Sequence, residues 1–137
     1  MATIRQEIPI DAAPGRVWDA VRDIGAVHRR LVPGYTAATR IDGHIRTLTM
    51  ANGAVVRERI VTVDDDARRL AYAVIAGRLP LEHHHASLQV LDAGDGRALL
   101  VWITDLLPDR LAPEARAHIE RGAAVMQRAL EADAANY

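Results

Sequence analysis

Residues 3–10 alternate, with Ile4, Gln6, Ile8 and Ile10 on one side and Arg5, Glu7 and Pro9 on the other. A period of two predicts a strand, and the proline places its position near a strand end or a sheet edge. The period then changes. Pro14 suits a first helical position, and Val17, Trp18, Val21 and Ile24 recur at helical spacing up to Gly25, which supplies a stop. A second short helix is predicted from Ala26 to Leu31, ahead of Val32-Pro33-Gly34. Between Tyr35 and Leu107 alternating segments are separated by Asp42-Gly43, Asn52-Gly53, Asp64-Asp65-Asp66, Gly77 and Gly94-Asp95-Gly96, which predicts about six strands in a meander. Beyond Pro108 and Pro113, Ala115, Ile119, Gly122, Ala123, Met126 and Leu130 form one apolar stripe, so the chain is expected to be helical to its end.

This order excludes alternating parallel units, because nothing helical separates the middle strands. The fold class is α+β: a curved antiparallel sheet of about seven strands covered by a long C-terminal helix, with two short helices after the first strand. A strongly curved sheet wrapped on one helix tends to leave a cavity.

Across the Asn52-Gly53 turn, a two-residue loop sets Arg46 opposite Arg59, whereas a three-residue loop with Gly53 left-handed sets Arg46 opposite Glu58. The second is preferred. It gathers His44, Arg46, Leu48, Val56, Glu58 and Ile60 on an inner face and leaves Thr47, Thr49, Arg57 and Arg59 outside. Arg46 and Glu58 then form either an ion pair in or at the rim of a pocket, or a cross-strand pair on the surface.

The run Glu82-His83-His84-His85-Ala86-Ser87-Leu88-Gln89-Val90 places three imidazoles at the start of a strand. It is internal, short and continuous with the strand pattern, unlike a vector-derived tag. Alternation puts His84 with Ala86, Leu88 and Val90, and His83 with His85 on the opposite face. His84 is a candidate donor to a ligand or a structural histidine. His83 and His85 have a spacing that a strand-borne zinc site uses, but no third ligand is identified, so they are only weak metal candidates.

Composition narrows the options. The 137 residues suit one domain, 1–137, and hold no cysteine, hence no disulfide or thiol nucleophile. The N-terminus lacks the apolar core of a signal peptide and no run reaches the ~18 residues of a membrane span, so a soluble cytoplasmic protein is expected. Seventeen arginines and no lysine stand scattered against eighteen acids, a balance that gives no footprint for nucleic acid. Phosphate-cradling glycine loops, dinucleotide fingerprints, serine elbows and His-Glu-x-x-His helices are missing, so no cofactor is expected.

Ala13-Pro14-Gly15-Arg16-Val17-Trp18-Asp19-Ala20-Val21, Gly43-His44-Ile45-Arg46-Thr47-Leu48, Val56-Arg57-Glu58-Arg59-Ile60, Asp64 with Arg69-Leu70-Ala71-Tyr72, and Gly96 through Trp102 carry a further signal. In that order the chain resembles the SRPBCC superfamily of helix-grip proteins, which includes START lipid-transfer domains and birch-pollen-type allergens. It is most similar to the bacterial polyketide cyclase/dehydrase-like group. The resemblance implies a helix-grip fold and a pocket for a small hydrophobic or amphipathic molecule, with Arg46, Glu58, Tyr72, His84, Leu88, Trp102, Ile119 and Met126 as ligand-binding candidates. A cyclase or dehydratase would use Glu58 or His84 as acid or base. An interaction module with a collapsed cavity, or a homodimer using the two-sided apolarity of the Trp102 strand, are the other readings.

Overall fold

In the computed structural model, which describes residues 1–135, β1 (Ala2–Ile10) is followed by α1 (Pro14–Arg22) and a π-helical turn at Val27–Leu31. Six strands come next: β2 (Thr36–Asp42), β3 (Ile45–Met50), β4 (Val55–Asp64), β5 (Arg69–Ala76), β6 (His83–Gly94) and β7 (Arg97–Leu107). A 3-10 turn at Asp109–Leu111 leads into α2 (Ala112–Ala135). All pairings are antiparallel, in the order β1-β7-β6-β5-β4-β3-β2. The meander runs across the sheet and β1 closes its far side. Pro9, which lacks a ladder donor, therefore sits on an edge strand, where its carbonyl accepts from Gln127 of α2.

One face of the sheet is the core. Ile4, Ile8 and Ile10 of β1, Leu70 of β5, Leu88 and Val90 of β6 and Leu100 and Leu106 of β7 are buried beneath α1 and the α2 stripe of Ala115, Ile119, Ala123, Met126 and Leu130. A one-residue slip of any of these strands would turn its aliphatic set to solvent, at about 1.5–3 kcal/mol per fully buried side chain, and this holds the register.

The first helix is shorter than its periodicity predicts. It ends at Arg22, not at Gly25, and Ile24 turns inward with its carbonyl free of helical bonding. At the other end of the chain α2 starts at Ala112, so Pro113 lies inside its first turn, where a missing N–H has no helical partner to lose. The expected continuation of this helix through residues 136 and 137 lies outside the described residues. Asp65 has a larger role than a solvated turn: it accepts from Trp18 Nε1 (2.9 Å) and Arg22 Nε (2.8 Å), tying α1 to the β4–β5 turn. Among the described residues no helix is long and apolar enough to cross a membrane.

Candidate functional site

The β3–β4 hairpin closes through Ala51-Asn52-Gly53, with Met50 N–H on the Ala54 carbonyl and Gly53 at φ 88°. That three-residue loop sets Arg46 directly across from Glu58. Both side chains are on the inner face and almost fully buried, and Arg46 Nε donates to Glu58 Oε1 at 2.8 Å. Two charges removed from water are tolerable only when paired and hydrogen-bonded, and Arg46 gains further partners. Its Nη1 reaches the Ile24 carbonyl at 3.4 Å, which the early end of α1 makes available, and its guanidinium lies 5.5 Å above the centre of the Tyr72 ring. His44, expected on this face, is instead exposed in the turn before β3, although its carbonyl still accepts from Ile60 N–H in the same register.

β5 and β6 pair only as far as Tyr72 opposite Ala86 and then separate. The next rung would join Val74 to His84. There the Val74 N–H donates to His84 Nδ1 at 3.0 Å, so an imidazole replaces the lost ladder bond. An Nδ1 that accepts is unprotonated, and the ring proton of the neutral form sits on Nε2, which no described residue receives. Burial, together with neighbouring His85 and His83, pushes the His84 pKa down to about 4, so the ring is neutral near pH 7. Tyr72 is buried at this junction, its ring 5.9 Å from that of His84, and its hydroxyl accepts from Trp102 Nε1 at 3.1 Å. Burial foremost, with the Glu58 charge adding to it, moves the phenol well above its ordinary value.

The separation of the strands opens a cavity of about 350 Å³ between sheet and α2. Leu48, Val56, Leu88, Trp102, Thr104 and Leu106 line it from the sheet, and Ala115, Ile119, Gly122 and Met126 from the helix. Small residues on α2 help keep it open. A Cβ at Gly122 would come within 3.3 Å of Trp102 Cζ3, so glycine lets the indole approach the helix backbone closely. The space between sheet and helix is therefore not filled by side chains. Exposed Arg78 from the β5–β6 loop, with Glu114, His118 and Arg121 from α2, forms the mouth.

Arg46, Glu58, Tyr72, His84, Leu88, Trp102, Ile119 and Met126 thus all border one space. Trp102, whose strand is apolar on both sides, faces inward. His83 and His85 are not part of it: His83 is exposed, and His85 lines a separate groove on the outer face with Arg5, Arg69 and Asp105. Among the described residues no three potential metal ligands gather. Sequence reasoning missed the contribution of Thr104, which alternation with Trp102 and Leu106 would have found. It also missed Tyr35 and Arg78, which lie in irregular segments with no periodic signal, and Arg121, an exposed α2 residue outside the apolar stripe.

A curved antiparallel sheet gripping one long helix over a cavity defines the helix-grip class. Solved structures of that class superpose over nearly the whole chain. A protein of Bacillus thuringiensis matches with a TM-score of 0.84 at 18% identity, covering 94% of this chain and 98% of its own. A START superfamily protein of Mycobacterium smegmatis matches at 0.76 and 12% identity, covering 98% and 97%. Norcoclaurine synthase of Thalictrum flavum, solved with dopamine and hydroxybenzaldehyde, matches at 0.77 and 19% identity, covering 99% and 87%. At these identities the likeness is one of fold. The chain belongs to the family described as polyketide cyclase/dehydrase and lipid transport, which matches residues 1–136. Among curated proteins none matches.

Proposed function

We propose that this protein encloses a small hydrophobic or amphipathic molecule in the cavity between the sheet and α2. The observation that carries this reading is the cavity itself: about 350 Å³, walled mostly by aliphatic side chains and Trp102, with a smaller set of polar groups. Ligand sites have this composition, an apolar wall with sparse polar groups that fix orientation. Of those groups, Arg46 and Glu58 are committed to one another and the Tyr72 hydroxyl to Trp102. His84 Nε2–H is an uncommitted donor among them, suited to a carbonyl or hydroxyl of the ligand. Family membership supports the same reading, since its description includes lipid transport.

Native mass spectrometry of freshly purified protein, compared with its denatured mass and an organic extract, tests it. A discrete excess mass matched by an extracted compound is expected. A bare mass, together with no binding of any apolar probe, would overturn it.

A second reading, catalysis of a cyclisation or dehydration, is favoured by the buried Glu58 carboxylate and the neutral His84 imidazole on one cavity wall. Either group would move a proton to or from a folded polyketone-like chain. Loss of turnover with retained binding in Glu58→Gln or His84→Ala would support it, and unchanged turnover in both would sink it.

A further inference from the structure

The mouth of the cavity carries a charge arrangement that the interior does not. Arg78 on the β5–β6 loop and Arg121 on α2 are both exposed, and both line the cavity. Neither makes an ion pair with any described residue. Glu114 is the mouth's one carboxylate among the lining residues, and Arg46 and Glu58 cancel deeper in. The opening is therefore net cationic by one charge, against a chain whose formal net charge is −1. His118 lines the same cavity as both arginines. His118, hydrogen-bonded through Nδ1 to the Tyr35 hydroxyl, is held below its ordinary pKa by partial burial and then by the charges of Arg121 and Arg78.

We infer that the cavity takes an amphipathic monocarboxylate, its chain inside and its acid group at the mouth between Arg78 and Arg121. This rests on the cavity-binding reading proposed above. The interior offers the acid no unpaired cation, because the Arg46 guanidinium is already neutralised by Glu58 and the His84 ring is neutral near pH 7. A guanidinium fork fits a carboxylate in two-point contact. A single negative charge balances the mouth, whereas a phosphate monoester brings about 1.5 to 2.

The test compares decanoate with 1-decanol by calorimetry at pH 7.5, on native protein and on Arg78→Gln, Arg121→Gln and the double variant. Decanoate should bind about tenfold more tightly than decanol, the scale of two partly exposed charge contacts. That ratio should fall to roughly threefold in each single variant and within about twofold in the double, in proportion to the contacts removed. Because an anion beside an imidazole favours its charged form, decanoate should also raise the His118 pKa in a ring-proton titration, and decanol should not. Equal affinity for the two probes, or a preference that survives in the double variant, overturns the inference while leaving the cavity reading intact. Binding of neither probe overturns both.

Discussion

Replacing Glu58 by leucine leaves the Arg46 guanidinium facing the Tyr72 ring and the Ile24 carbonyl with no anion. At 2.8 Å between Nε and Oε1 the charge centres are about 4 Å apart, and at an effective dielectric of about 20 their attraction is about 4 kcal/mol. Losing one partner of a buried pair costs about 3–5 kcal/mol, because the survivor keeps its desolvation penalty. For a domain of this length that is a fall in Tm of roughly 10–20 °C. The two single variants should differ in their response to pH. The guanidinium left by Glu58→Leu has no way to discharge, so its cost should be the same at pH 5 and pH 7. The carboxylate left by Arg46→Met escapes by taking a proton. A proton on it removes the uncompensated buried charge, and protonation is favoured at lower pH. Arg46→Met should accordingly cost less at pH 5 than at pH 7. The double variant Arg46→Met/Glu58→Leu should lie within about 1 kcal/mol of the native protein or above it, leaving a coupling energy of several kcal/mol. Urea denaturation followed by tryptophan fluorescence measures all four corners. Single-variant costs under about 1 kcal/mol that add in the double would refute the reasoning, since they describe a solvated surface pair.

Three other outcomes are expected. His84, at about 4 in the folded chain and about 6.5 unfolded, contributes stability that is fully present above pH 6.5 and is lost as pH falls towards 4, by at most about 3 kcal/mol. His84→Asn, which keeps an acceptor for the Val74 N–H, should flatten the stability–pH curve in that window, and an unchanged slope would assign it to other groups. Gly122→Ala gains up to about 1 kcal/mol of helix propensity but must displace the Trp102 indole, so it should change Tm little while weakening 1-decanol binding measured by calorimetry. Gly53→Ala meets no atom within 4 Å, so its cost in urea denaturation should be the backbone's alone, about 1–2 kcal/mol for a left-handed residue.

The order of elements was legible because each depends on neighbours in sequence. Period-two alternation marked β1 and the meander, a proline and an apolar stripe marked each helix, and Gly53 in a three-residue loop fixed which residue faces Glu58. From that register it follows by alternation that Arg46 shares a face with Leu48, Val56 and Glu58, as His84 shares one with Leu88 and Val90. Tertiary structure decided the rest. Whether Arg46 and Glu58 lie inside or on the surface depended on what covers them, and Trp102 had apolar neighbours on both faces until α2 chose one. His44 obeyed the alternation on paper, yet the turn released it to solvent. The cavity arises where β5 parts from β6 and Gly122 admits Trp102, and its mouth joins Arg78 to Arg121 across the fold. Local pattern encodes the direction of a side chain, but an enclosed volume belongs to strands and a helix that meet only when the chain is folded.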